Sequence, residues 1–294
     1  MLTIGFVPNA HADGFTLGPN ASSYGILFEG AGGNTLQITN VTVNGGNVGV
    51  GITGKATDSG PSTINGSLNF SAGNTGQFSN NNNSDVISGG VHYNVTGVTS
   101  ALSDVNTLNT TLGGYAGTNL NINLSGSTAL TIDASTGNLV NGNEVFNITG
   151  FNTTNGNTLI INGDGLGHNV VFNFTGSANF NNQVVLTGGL TSDDVIFNFV
   201  GGSGLTGGPT LQINDNGNNN PQNLVQGIFL DPNGAISVVN TNLDGSVFGG
   251  DTHDFQLVSG DTINVPSTQV PEPASLLLLG AGLSGMAFWR RRLL

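Results

Sequence analysis

Three segments of this chain nearly superimpose: Val145-Phe-Asn-Ile-Thr-Gly150, Val171-Phe-Asn-Phe-Thr-Gly176 and Ile196-Phe-Asn-Phe-Val-Gly201, spaced by 26 and then 25 residues. A second β-type run begins 12 to 14 residues after the start of each, at Thr158–Asn162, Gln183–Thr187 and Thr210–Asn214. The Gly, Asn, Asp and Thr between them suit tight turns and left-handed backbone. A unit of about 25 residues cannot bury its own apolar face, so such units must stack. Strand alternation sets Phe146, Phe172 and Phe197 on one face with Ile148, Phe174 and Phe199, and Asn147, Asn173 and Asn198 on the other. Stacking then makes the aromatics a core ladder and the asparagines a surface ladder. The expected fold is mainly β: a right-handed parallel β-helix, or solenoid. An antiparallel sandwich of hairpins is the competing arrangement, because short Gly-rich connections suit hairpins equally well.

The segment Tyr24 to Thr96 is also strand-like, with runs Ile26–Phe28, Thr35–Val43 and Val48–Ile52, but its spacing is less regular. Between it and the repeats lies one helical candidate, about 100–112, in which Ala101, Val105, Leu108 and Leu112 form an apolar stripe behind Thr99 or Ser100 as caps. Gly113-Gly114 stops it. That stripe is expected to lie along the flank of the solenoid.

Charge excludes more than it suggests. Between Asp13 and Gln269 there are sixteen acidic residues and one basic residue, Lys55. Nucleic acid is therefore not an expected partner, since a phosphate backbone needs several Lys or Arg contacts. With 48 Gly and 7% charged residues the chain is turn-rich, yet 16 Phe supply apolar surface for a long, thin core. It has no cysteine, which removes disulfides, thiol catalysis and thiolate metal sites together.

Both ends carry addressing signals. At the C-terminus, 266–270 reads as a linker, followed by Pro271-Glu272-Pro273. From Ala274 to Trp289 there are sixteen uncharged residues, closed by Arg290, Arg291 and Arg292. As a helix this stretch is roughly 24 Å long, short against a hydrocarbon core of about 30 Å. It spans only with thinning, snorkelling or a temporary stay. An ordinary membrane anchor and a buried C-terminal helix are the alternatives. The order of box, apolar helix and basic cluster over 271–294 resembles the PEP-CTERM sorting signal of Gram-negative bacteria. That resemblance implies transient residence in the inner membrane and recognition by an exosortase, which would cleave near the box and leave the product at the cell surface or outside. Residues 1–12 read as a partial signal peptide, with Ala10-His11-Ala12 as a small-residue cleavage box.

The body, 13–265, also resembles a family. Tyr24-Gly-Ile-Leu-Phe28, the short helix, Asn143-Glu-Val-Phe-Asn-Ile148, Asn169-Val-Val-Phe-Asn-Phe174, Val195-Ile-Phe-Asn-Phe199, Gly227-Ile-Phe-Leu-Asp-Pro-Asn-Gly-Ala235 and Asp244-Gly-Ser-Val-Phe-Gly-Gly250 look like successive blocks of the choice-of-anchor A family. The resemblance implies a bacterial surface protein joined to one of several anchoring signals, and little about chemistry.

The residues offer little catalysis. A uronate lyase needs a base and charge-stabilising cations, and Lys55 is alone. A glycosidase needs two carboxylates facing one sugar, whereas the adjacent Asp193 and Asp194 sit in a turn. His92, His168 and His253 are scattered and read as surface histidines. Asp164, Asp215, Asp251 and Asp254 have neighbours suited to weak calcium binding, but none completes a calcium loop. No cofactor is expected, calcium being possible. The leading functional expectation is a non-enzymatic structural or adhesive module that binds extracellular polysaccharide or matrix, as in a biofilm. A polysaccharide-modifying β-helix enzyme is one alternative. An ice-binding protein is another, weakened by a short threonine ladder in which Thr149 and Thr175 are followed by Val200.

Overall fold

The computed structural model describes residues 14–266, apart from 75, 82–83, 127, 155, 202–207, 215–223 and 252. The sorting tail, the linker from 267 onward, the cleavage box at Ala10 and Ala12, and Asp215 lie outside the described residues. Among the described residues no helix is long and apolar enough to cross a membrane.

The chain winds as a parallel β-solenoid with three sheet faces. On the first, strands follow one another in space as Val91–Val95, Leu68–Ser71, Asn47–Val50 and Tyr24–Phe28, and then the C-terminal halves of Asn242–Gly249 and Leu224–Asp231. Val195–Phe199, Asn169–Phe174, Asn143–Asn152 and Thr118–Asn123 complete it. The second face runs from Val86–Ile87 through Thr63–Ile64, Thr42–Asn44, Thr262–Asn264, the N-terminal halves of the two long strands, Gln183–Thr187 and Thr158–Asn162 to Ala129–Asp133. The third is a separate seven-stranded sheet: Phe78–Asn80, Lys55–Asp58, Thr35–Thr39, Phe255–Val258, Ala235–Val239, Thr210–Asn214 and Ala178–Phe180. All these pairings are parallel, which overturns the hairpin sandwich. One antiparallel pair, Asn138–Val140 with Asn143–Val145, occurs among the described residues.

Coils do not stack in chain order. Strand Tyr24–Phe28 lies between Asn47–Val50 and Asn242–Gly249, so the first and last coils meet in the middle of the solenoid. From there the N-terminal coils build outward to one end. The helix Thr96–Gly113 then carries the chain back along the first face, and the repeats return to the centre from the far end. The N-terminal spacing that looks less regular in the sequence is regular in the fold: strands of the first face begin at Tyr24, Asn47, Leu68 and Val91, 23, 21 and 23 residues apart.

The interior confirms the aromatic ladder. Phe146, Phe172, Phe197 and Phe229 pair in register, with ring centroids 5.3, 5.3 and 4.7 Å apart and planes within 15°. The column continues through Val247, Ile26, Val48 and Leu68, all buried, so a single core crosses the junction of the two stacks. The long strands turn from the second face to the first where Gly227 (φ +131°) pairs with Gly245 (φ +153°). A Cβ on Gly245 would lie 1.9 Å from the Gly227 carbonyl oxygen, so the corner needs glycine.

Three expectations need correction. The helix begins at Thr96, four residues early, with no side-chain cap; packing of Val98 and Ala101 against the sheet supports the first turn instead. It does end at Gly113, as the Gly-Gly pair requires. The asparagines do not form a surface ladder. Asn173 and Asn198 are buried beneath the helix, because both faces of those strands are covered. Asn109 Nδ2 donates to Asn198 Oδ1 (2.7 Å) and the Phe199 carbonyl (2.8 Å), Asn198 Nδ2 to Asn173 Oδ1 (2.8 Å), and Asn173 Nδ2 to the Leu112 carbonyl (2.9 Å). Finally, Thr210–Asn214 is not the third copy of the second run. It belongs to the seven-stranded sheet, where it pairs with Ala178–Phe180 and Ala235–Val239.

Candidate binding face

The seven-stranded sheet presents its outer surface away from the helix. Its inward residues, Leu36, Ile38, Ala56, Phe180, Leu211, Ile213, Ile236, Val238, Phe255 and Leu257, are buried. Alternation then points a central row outward in register: Asn179, Gln212, Ser237, Gln256, Gln37, Thr57 and Ser79. Adjacent rungs stand about 4.8 Å apart, the spacing of paired strands. Every rung is polar and uncharged. One flanking row carries Asn214, Val239, Val258 and Thr39.

Side chains along the row hold one another. Ser237 Oγ donates to Gln256 Oε1 (3.3 Å), Gln256 Nε2 to Gln37 Oε1 (3.4 Å), and Gln37 Nε2 to Asp254 Oδ2 (2.8 Å). The Thr35 N–H donates to the other oxygen of Asp254 (2.7 Å). Cross-linking of this kind reduces the side-chain entropy that long amides otherwise lose on binding. Between Thr210, Gln212, Ser237, His253, Asp254 and Gln256 the face dips into a groove of about 350 Å³.

The second face carries a different array. Ser88, Asn65, Asn44, Asn264 and Asn242 form one hydrogen-bonded chain, with links of 3.4, 2.9, 3.0 and 3.1 Å. Its Asn44–Asn264 link spans the junction between first and last coils.

The acidic candidates have mostly structural partners. Asp251 accepts from the Ala31 N–H (3.1 Å) and, with Asp254, braces the chain entering the sheet; burial raises the Asp251 pKa against that hydrogen bond. Asp164 differs, because it meets His168 and Glu144. Asp193 and Asp194 belong to a capped single turn. Asp194 Oδ2 accepts from the Thr191 N–H and hydroxyl, both at 2.7 Å. Burial, then Asp194 and Asp244, push Asp193 up to about 6. His92 contacts the Gly89 carbonyl (2.7 Å) at the surface, and His253 borders the groove.

Sequence reasoning passed over Gln37, Gln212 and Gln256. A signal was present: Thr35-Leu-Gln-Ile-Thr39 and Thr210-Leu-Gln-Ile-Asn214 are nearly the same peptide, and both lie on this face.

Comparison with known proteins bears on the two ends of this description separately. Residues 269–292 match the family described as the PEP-CTERM protein-sorting motif. No curated protein matches the chain. Among solved structures, an ice-binding protein from an Antarctic bacterium of the Flavobacteriaceae is similar at 18% identity and a TM-score of 0.52, over 87% of this chain and 48% of that one. An ice-binding protein from the Antarctic ascomycete Antarctomyces psychrotrophicus is 18% identical with a TM-score of 0.48, over 87% of this chain and all of that one. The DUF3494 domain of a Shewanella frigidimarina ice-binding protein is 13% identical with a TM-score of 0.49, over 86% and 98%. The chain therefore joins a PEP-CTERM sorting motif to a parallel β-solenoid similar in fold to the Flavobacteriaceae protein.

Proposed function

We propose that this chain is an exported, non-enzymatic surface protein, sorted through its tail by an exosortase, whose solenoid binds ice through the outer face of the seven-stranded sheet. The observation that carries the reading is the seven-rung uncharged row from Asn179 to Ser79, in register across a sheet without register shifts. An ordered solid is recognised by repetition, and a parallel sheet repeats at one fixed spacing. The ice-binding name of the Flavobacteriaceae structure supports the same ligand. On this support we rank ice ahead of the adhesive role expected from the sequence. The choice-of-anchor A resemblance fits a body joined to an interchangeable anchoring tail. Right-handed winding accords with the strong preference of parallel crossovers.

Partitioning of the purified protein into slowly grown ice tests the ligand. Enrichment in the ice over a size-matched control is expected; equal exclusion of both contradicts the reading. Processing is tested separately, by the C-terminal mass of the mature protein in hosts with and without exosortase, where an unchanged mass in both counts against it.

The groove favours a second reading, adhesion to a neutral polysaccharide. Amide and hydroxyl groups of Thr210, Gln212, Ser237 and Gln256 can pair with sugar hydroxyls, and the groove's concavity suits a chain more than a plane. Saturable binding of a neutral glycan, weakened by Gln212→Ala, with no ice partitioning, would select it.

A further inference from the structure

Away from the binding face, one cluster combines three metal-ligating side chains. Asp164 and His168 bracket the connection between Thr158–Asn162 and Asn169–Phe174, where Gly165 (φ +73°) and Gly167 (φ +84°) adopt left-handed backbone. The Leu166 N–H donates to Asp164 Oδ1 (2.8 Å). The curled loop sets Asp164 Oδ2 in hydrogen-bond contact with His168 Nδ1. Glu144 arrives from the neighbouring coil, where it pairs with Val170. One donor atom from each residue lies within 4.8 Å of the others.

A second observation points to a ligand. The Glu144 side chain is 7% exposed, its Oε1 lies 3.6 Å from His168 Nδ1, and its buried Oε2 has no hydrogen-bond partner. A buried carboxylate oxygen left unpaired is costly. Lys55, the one lysine or arginine among the described residues, lies in the seven-stranded sheet, so among the described residues no lysine or arginine offsets the two carboxylates.

We propose that Glu144, Asp164 and His168 form a site for a divalent transition-metal ion, with Zn²⁺ favoured over Ca²⁺. One imidazole and two carboxylates make a mixed N/O set of the kind that binds Zn²⁺. Ca²⁺ instead takes about six to eight oxygen ligands. Tetrahedral donors about 2.0–2.2 Å from an ion stand roughly 3.3–3.6 Å apart, so the Asp164–His168 contact opens to admit the ion while Glu144 already lies near that separation from His168. The 16% exposure of His168 leaves the ion a path from solvent. Bound there, it ties the loop to the adjacent coil and satisfies the free oxygen of Glu144.

Untagged, chelator-stripped full-length protein is titrated with Zn²⁺ and Ca²⁺ by calorimetry, and Co²⁺ loading is followed in the visible spectrum. One Zn²⁺ per chain, Ca²⁺ weaker by at least about tenfold, and ligand-field bands with Co²⁺ are expected. Zn²⁺ at about 100 times its Kd should raise Tm by roughly 5–10 °C. His168→Ala and the loop variant Asp164→Asn should each lower Zn²⁺ affinity at least about tenfold, while His253→Ala leaves it unchanged. If either loop variant fails to fold, the other decides. Absence of saturable Zn²⁺ binding, binding that survives loss of His168 or Asp164, or equal affinity for Ca²⁺ overturns the assignment.

Discussion

Asn198 shows what one residue does here. Its amide joins Asn109 on the helix to Asn173 on the next coil, and replacement leaves several buried groups unpaired. Asn198→Ala should cost about 1–3 kcal/mol in urea unfolding; a change within error would mean that the seam contributes nothing. Buried carboxyls set the pH response. Burial pushes Asp231 up to about 8, partly offset by nearby N–H groups of Gly234 and Leu211 that close no hydrogen bond to its carboxylate. Burial likewise raises Asp261 and Glu29 to about 7. Below about pH 4 both folded and unfolded chains hold these protons, so the burial costs nothing there. As pH rises towards 8 the unfolded chain releases protons that the folded chain retains, and stability falls. Thermal melts should therefore give a higher Tm at pH 5 than at pH 8, with a smaller difference in Asp231→Asn. A higher Tm at pH 8 would contradict the burial of these groups.

At the scale of elements, the sequence repeat revealed the column of phenylalanines because an interior position tolerates little besides large apolar side chains. Phe197→Ala should cost about 3–5 kcal/mol, read from the same urea curves, since Phe197 stacks on both Phe172 and Phe229. The asparagine row was misread for a reason visible in the same strands. Alternation tells which side of a strand a residue occupies, but not what covers that side, and the helix covers it. Thr35–Val43 read as one strand; it divides at Asn40 (φ +57°) into pieces on two sheets. Such corners follow from single left-handed residues, which leave a weak trace in sequence. The same limit hid the candidate binding face: its rungs come from seven separate strands, and the order of coils decides which are neighbours. Glu144 and His168, 24 positions apart, likewise meet only because their coils are adjacent.

For the whole molecule, meeting of the first and last described coils in the middle makes the solenoid's continuity depend on their contact. Ile26 against Val247 and Asn44 against Asn264 hold that junction. The arrangement also makes the central rungs of the proposed binding row, Gln256 and Gln37, neighbours although 219 positions separate them, so the row exists only in the fully assembled fold. Its function is tested most directly by thermal hysteresis of the purified protein together with two single variants. Ser237→Tyr puts a large ring in the middle of the proposed face, and Thr63→Tyr puts the same ring on the second face. A freezing-point gap in the wild type, abolished by Ser237→Tyr and kept by Thr63→Tyr, is the predicted result; no gap in the wild type, or equal activity in both variants, would contradict it.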